Sequence, residues 1–344
     1  MAESELSRQL RVKAGQVQRR GSPLYAELLE HAARDVDSGG PSLDVLRDCA
    51  GEPADSALAL RFLSAVHRVV LEGDAPQLAR HYPSAEGSAG PQGAWPAFRQ
   101  VLLEHSERLR AAVALPCQTN DVGRCAALLP GFLAVAAEYG LALRILELGS
   151  SAGLNLLWDR YRYEAETWSW GPQGSPVTLS GDFSGRPDGP DHVVVLERSG
   201  CDAAPLDVAD PDARLTLRSS IWADQVRRHE LLDAALDMAR ANPPTVDRAD
   251  AGDWLEAKIG DRVPGTSTVV FHSILWQYLD DRQRERLRAL LQAAGAQVSA
   301  SAPLAWLRME PPGELATVTL TTWPGGNDRV IARAGYHGQP VQIV

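Results

Sequence analysis

Lysine is almost missing from this 344-residue chain, which has only Lys13 and Lys258, and its 34 basic residues are outnumbered by 44 acidic ones. A net charge of -10 repels phosphate backbones and anionic lipid, so nucleic acid is not an expected partner. Cysteine is scarce as well. Cys49, Cys117, Cys125 and Cys201 are scattered and none stands in a C-x-x-C pair, a pattern that offers neither a zinc knuckle nor a disulfide scaffold, so no metal is expected. No uninterrupted apolar run reaches the roughly eighteen residues needed to span a bilayer, so no membrane partner is expected. The opening residues, with Glu3, Glu5 and Arg8, lack the apolar segment of a signal peptide, and the expected location is the cytoplasm. What remains is ordinary globular usage, 44% apolar and 23% charged, at a length that suits one large domain or two packed ones.

The first 115 residues read as a helical region. Ser22 can cap a helix whose first turn suits Pro23, and Leu24, Leu28, Leu29, Ala32, Ala33 and Val36 keep a helical period until Gly39-Gly40-Pro41 stops it. A second helix is expected from about Asp55 to Leu71, with Gly73 as its terminal cap and His67 as a packed residue. A third is expected from Trp95 to about Val113. From residue 116 to 344, short β-rich runs alternate with helical ones, the pattern of a mostly parallel sheet covered on both faces. Strands are expected at Leu143–Leu148, Val193–Leu196, Val246–Ala249, Thr268–His272, Ala305–Met309, Leu315–Thr322 and Arg329–Ala334. The turn-rich Trp323-Pro324-Gly325-Gly326-Asn327-Asp328 predicts a closing antiparallel hairpin, and helices are expected at Gly153–Tyr161, Asp224–Ala241 and Asp280–Ala294.

The most informative stretch is Leu143-Arg144-Ile145-Leu146-Glu147-Leu148-Gly149-Ser150-Ser151-Ala152-Gly153-Leu154-Asn155. An apolar strand ends in an acid, a loop of small residues follows, and a helix is expected next. In an open α/β sheet, ligands bind outside such strand ends. A pyrophosphate would be repelled by Glu147, whereas the ammonium or sulfonium of S-adenosylmethionine would pair with it. The stretch resembles motif I of class I S-adenosylmethionine-dependent methyltransferases, with Ser151 where the middle glycine of that motif stands. The resemblance implies a Rossmann-like sheet, with Gly149, Ser151, Gly153 and Asn155 beside the cofactor. Asp202, favoured over Glu197, would end the second strand and bind ribose after an insertion that contains Trp168 and Trp170 and forms a hairpin over the site. Asp250, with Ala251, would meet adenine, and Asp253 reads as a helix cap. His272 ends the fourth strand, where a residue titrating near neutrality can act on an acceptor, with Trp276 and Tyr278 close behind. Arg124 either meets the methionine carboxylate or forms an internal ion pair, and Asn120 or Asp121 can cap the helix it enters.

Thr119-Asn120-Asp121-Val122-Gly123-Arg124, Glu147 to Asn155 with Leu156-Leu157-Trp158-Asp159-Arg160-Tyr161, Val269 to Leu279, and Ser22-Pro23-Leu24-Tyr25 together resemble a bacterial family. It is common in actinobacteria and catalogued as domain of unknown function 2332. The resemblance implies a helical N-terminal region joined to a methyltransferase-like domain, and it supplies no substrate. Three functions stay open. The simplest is methyl transfer to a small molecule, with His272 and Tyr278 as catalytic candidates. The second is consumption of S-adenosylmethionine by cyclisation or aminocarboxypropyl transfer, releasing methylthioadenosine. The third is a binding module without turnover, and a homodimer is compatible with any of them.

Overall fold

The computed structural model describes residues 3–53, 56–311 and 313–344. Twelve α-helices lie among them: α1 Glu5–Arg19, α2 Pro23–Asp37, α3 Pro41–Leu46, α4 Leu58–Leu71, α5 Pro76–Ala79, α6 Ala94–Glu104, α7 Ser106–Val113, α8 Arg124–Tyr139, α9 Pro211–Ser220, α10 Val226–Ala241, α11 Ala251–Ile259 and α12 Asp281–Gly295. Eleven strands accompany them: β1 Ala142–Leu148, β2 Arg162–Glu164, β3 Ser169–Trp170, β4 Thr178–Ser180, β5 Val195–Asp202, β6 Thr245–Arg248, β7 Thr266–Ser273, β8 Leu304–Glu310, β9 Ala316–Trp323, β10 Asn327–Ala334 and β11 Val341–Ile343.

The chain divides into two compact units. The first comprises Met1–Thr119 and also takes Pro211–Glu230 from later in the chain. It is helical, and the cap of α2 is the one its sequence announces. The Ser22 hydroxyl accepts Tyr25 N–H at 3.4 Å above Pro23, closing the first turn of α2. Its core gathers Leu24, Leu28, Phe62, Val66, Leu78 and Phe98 together with Trp222 of the late segment. Sequence patterning passes over α1, whose Leu6, Leu10, Ala14 and Val17 recur every three or four residues on a buried face behind the cap Ser4. The helix expected from Trp95 to Val113 is two, broken at His105 between α6 and α7. Asp55, the expected start of α4, lies outside the described residues.

The second unit, Asn120–Asp210 with Leu231–Val344, is α/β. Its mostly parallel eight-stranded sheet has the order β11-β10-β9-β8-β7-β1-β5-β6. The five strands β6, β5, β1, β7 and β8 are mutually parallel, and β9, β10 and β11 add an antiparallel edge that includes the expected hairpin. After β1 the chain moves to β5 and β6 on one side, then returns to β7 and β8 on the other. The direction of winding therefore reverses at β1, between β1 and β7, the point of an open α/β sheet outside which ligands generally bind.

Alternation along the strands decides which residues share a face. Glu147 is in register with Phe271, and Phe271 meets Phe132 of α8 edge to face at 5.1 Å, so Glu147 lies on the α8 face. Leu146, Leu148 and Val270 project to the opposite face and pack with Trp254 and Leu255 of α11 and Leu287 and Leu291 of α12.

Two expectations are corrected here. Gly153–Tyr161 contains a 3-10 helix, Leu154–Arg160, instead of an α-helix; the Tyr161 hydroxyl reaches back to donate to Leu154 O at 2.6 Å. The second parallel strand is not Val193–Leu196 but the later Val195–Asp202, because the pair Ser199-Gly200 that reads as a turn is strand interior. A Cβ at Gly200 would stand 1.9 Å from Ser150 Oγ, so only glycine lets β5 pass the loop after β1. Trp168 and Trp170 fall around a small second sheet of order β3-β2-β4, in which β2 and β3 form an antiparallel hairpin.

Candidate functional site

The loop after β1 is held by three unusual backbone angles and by hydrogen bonds from its amides. Gly149, Ser151 and Gly153 have φ of +70°, +53° and +74°. The N–H groups of Gly149 and Ser150 both donate to Cys201 O at 2.9 Å, tying the loop to β5. Ser151 N–H donates to Asp202 Oδ2 at 2.9 Å, and Leu154 N–H donates to Asn120 Oδ1 at 2.9 Å. A Cβ on Gly149 would come within 2.7 Å of Leu275 Cδ1, so the loop also touches the turn that leaves β7.

Glu147 stands beneath this loop and is only 2% exposed. Asn155 and Ser150 lie beside its carboxyl group, with Ser150 Oγ donating to the Glu147 main-chain oxygen at 3.0 Å, and Oε2 accepts no hydrogen bond. Asn155 is itself buried, and its Oδ1 accepts the Cys125 thiol at 3.3 Å, which leaves its amide nitrogen to face the acid. Burial drives the Glu147 pKa well above the carboxylate range, with the charge of Asp202 adding to the rise, while Asn155, Ser150 and the Arg124 charge oppose it. A buried carboxyl with an orphan oxygen is unfavourable unless something pairs with it. The chemistry that would relieve it is a cation that also donates hydrogen bonds.

Arg124 opens α8, and its Nη1 and Nε donate to the carbonyls of Ser273 at 3.2 Å and Tyr336 at 3.3 Å. It thus fastens the end of β7 to the C-terminal segment through main-chain oxygens. Asn120 serves the loop after β1 rather than capping α8. Asp121 does lie at the entrance to α8, accepting Gly123 N–H at 3.3 Å, and its Oδ2 lies 2.6 Å from His337 Nδ1.

The other two acids stand at the ends of the next two strands. Asp202 is the last residue of β5, and besides Ser151 it accepts Ala204 N–H at 2.8 Å. Glu197, its rival in the sequence, pairs with Arg144 at 2.8 Å early in the strand. Asp250 follows β6 and caps α11, its Oδ1 accepting Gly252 and Asp253 N–H at 2.8 and 3.2 Å, so the expected cap Asp253 is corrected to Asp250. Asp253 pairs instead with Arg286 at 2.6 Å, and Ala251 is the first helical residue. Ala249 N–H donates to Asp202 O at 3.1 Å, which keeps the two strand ends together.

His272 is not brought to Glu147. It stands one residue beyond Phe271, so its side chain leaves β7 on the α12 face, fully buried. Its Nδ1 lies 2.7 Å from Glu310 Oε1, and Nε2 has no hydrogen-bond partner. Trp276 and Trp306 surround it, with ring centroids 4.5 and 5.9 Å away. Glu310 also accepts Leu275 N–H at 2.8 Å and Trp276 N–H at 3.3 Å, holding the turn in which Ile274 takes φ +55°. Tyr278 lies on the 3-10 helix Trp276–Tyr278 and is 53% exposed.

Sequence reading passed over Glu310 and His337. Glu310 is the last residue of parallel strand β8 and Glu147 the last but one of β1, and an acid at the close of an apolar strand is the signal that would have found it. His337 lies in an irregular segment that carries no such signal. Among the described residues no group of three or more His, Cys, Asp or Glu could hold a metal, and no helix is long and apolar enough to cross a membrane.

A family model described as "Uncharacterized protein conserved in bacteria (DUF2332)" matches residues 7–342. No curated protein and no solved structure matches the chain.

Proposed function

The chain belongs to this bacterial family of uncharacterized proteins, and we propose that it is an S-adenosylmethionine-dependent methyltransferase acting on a small molecule, built on a Rossmann-like class I sheet. The observation that carries the reading is the orphan Oε2 of buried Glu147 at the strand end where the sheet reverses its winding. A dinucleotide would bring a pyrophosphate to this acid, while a nucleoside bearing an ammonium group would complete its hydrogen bonding.

The residues present fit that ligand. Glu147 would take the ammonium group, and ion pairing there would draw its proton off. Each Asp202 oxygen accepts one main-chain N–H and retains a lone pair, enough for two ribose hydroxyls. Asp250 uses Oδ1 for its helix cap, and Oδ2, which accepts only Gln283 Nε2 at 3.5 Å, keeps a lone pair for an adenine amino group. Gly149 and Gly153 give the loop its left-handed turns, with Leu275 packed where a side chain of the first would stand and Pro244 and Val246 where that of the second would. When bound, S-adenosylmethionine supplies an electrophilic methyl group. Transfer of that group needs alignment above all, so holding two reactants at the ends of β1 and β7 would supply most of the rate. His272 and Tyr278, on and after β7, are the residues proposed to meet the acceptor.

Calorimetric titration of the whole chain with S-adenosylmethionine tests the reading, followed by mass spectrometry of the mixture incubated with candidate acceptors. Saturable binding with S-adenosylhomocysteine as product is the expected result. Methylthioadenosine would reassign the reaction to cyclisation or aminocarboxypropyl transfer, and absence of binding would overturn the proposal.

A further inference from the structure

The surroundings of His272 select a ligand by hydrogen-bond pattern. Glu310 accepts two main-chain N–H groups besides His272, one at each oxygen. A carboxylate engaged in that way is an acceptor only, so the proton it shares with His272 sits on Nδ1. In the neutral ring the tautomer follows: Nε2 carries a lone pair and no hydrogen. That lone pair is buried and receives nothing from the protein.

A second orphan belongs to the same group of rings. Trp306 is 7% exposed and its Nε1–H, which can only donate, has no acceptor. Two orphans of opposite character in one ring cluster form a complementary pair. The third ring, Trp276, meets Trp306 edge to face at 6.0 Å and is half-buried. It rides on a single 3-10 turn, so among the three rings it is the one whose support is shortest. A guanidinium lies over each tryptophan, Arg308 at 4.0 Å from Trp306 and Arg288 at 5.6 Å from Trp276.

We propose that this cluster is a binding site for a flat heteroaromatic ring that carries an N–H or O–H next to a carbonyl or ring-nitrogen acceptor, as a lactam or a hydroxylated azine does. Its donor meets His272 Nε2 and its acceptor meets Trp306 Nε1–H, at the edge of the indole pair. Glu310 is the positioning residue that sets the histidine tautomer. Identification of that ring as the methyl acceptor rests on the function proposed above; binding of the ring does not.

The test uses the unmodified chain and a matched pair of probes, 2-pyridone and N-methyl-2-pyridone, followed by tryptophan fluorescence and by the ¹⁵N signals of His272. The first presents N–H beside C=O, and the second keeps the shape without the donor. Expected is saturable binding of 2-pyridone that shifts the Nε2 resonance, with affinity for the N-methyl probe lower by on the order of tenfold or more. Trp306→Phe should weaken 2-pyridone by a similar factor while leaving the histidine tautomer intact. Glu310→Gln should change the ¹⁵N pattern of free His272. Equal binding of the two pyridones, or no binding of either, overturns the site. An Nδ1 resonance lacking its proton in the free protein overturns the role of Glu310. S-adenosylmethionine titrated into the same sample separates the two ideas: binding of it without 2-pyridone removes only this site, and the converse removes only the methyltransferase.

Discussion

Replacing Glu147 by glutamine keeps the side-chain shape and removes its ability to ionise, which separates the acid's cost to folding from its use in binding. Its folded pKa is raised by burial, so below the unfolded value of 4.5 both states hold the proton and the acid costs nothing. As pH climbs past 4.5 the unfolded chain releases its proton first, and stability falls until the raised folded pKa has been passed. Glu147→Gln should therefore be as stable as the parent or more stable at pH 7 in urea unfolding, yet bind S-adenosylmethionine roughly thirtyfold more weakly or worse. Loss of both stability and binding would show that the acid serves packing alone. The helical unit holds the opposite case. His67 is fully buried, its Nδ1 3.1 Å from Ser219 O and its Nε2 2.7 Å from Ser84 Oγ, and its ring lies 5.6 Å from that of His229. Burial lowers their pKa values from 6.5 to about 3 and about 4, with each other's charge or nearby arginines adding to the effect. Both are neutral in the folded chain, so their contribution is complete above 6.5 and is lost as pH falls from there toward 4 and 3. Between pH 7 and pH 5 the loss should be about 2 kcal/mol for each histidine. Urea midpoints at the two pH values would measure it, and His67→Gln with His229→Gln should flatten that slope.

The elements that position the site differ in how plainly their residues announce them. Strand β1 is legible because its apolar run carries an acid one residue before its end and is followed at once by small residues. Strand β5 reads as starting and ending too early because the apolar run Val193–Leu196, with Val194 and Leu196 exposed, only leads into it, whereas its buried part, Ser199-Gly200-Cys201, looks like a turn. What marks that end as strand is contact with the β1 loop, 50 residues away in the chain, and no local pattern reports it. The same holds for Arg124, whose hydrogen bonds reach Ser273 and Tyr336, and for His337 beside Asp121. The loop itself makes a sharper prediction. At Gly153 a positive φ coincides with a Cβ position 2.7 Å from Pro244 Cγ and 2.8 Å from Val246 Cγ2. Gly153→Ala should cost about 1–3 kcal/mol, for strain and displacement together, and weaken S-adenosylmethionine in parallel. Gly174→Ala, where a Cβ meets nothing within 4 Å, is the matched control and should change stability by less than about 1 kcal/mol. Equal effects of the two would show that the loop does not require its left-handed backbone.

On the scale of the whole molecule, the composition change near residue 116 suggests a single cut between a helical and an α/β half, but the helical unit also draws on Pro211–Glu230. The chemistry of that segment explains why. Leu217, Trp222 and Ala223 are buried, and the last two belong to the helical core. Asp224 accepts the Ser22 hydroxyl at 2.7 Å and Leu24 N–H at 3.1 Å, so the entry to α2 is finished by a residue two hundred positions later. Arg68 of α4 donates to Thr216 Oγ1 at 2.8 Å and pairs with Asp212. A chain of residues 120–344 would keep α9 and lose everything it packs on, leaving Trp222 and Leu217 in water at roughly 1.5–3 kcal/mol each for large apolar side chains. That shortened chain should bind a hydrophobic dye, elute with aggregates in size-exclusion chromatography, and unfold over a broad range, whereas residues 1–344 melt sharply. A compact, dye-silent 120–344 with a single sharp transition would show that the sheet unit folds without the helical one and that the late segment is a passive connection.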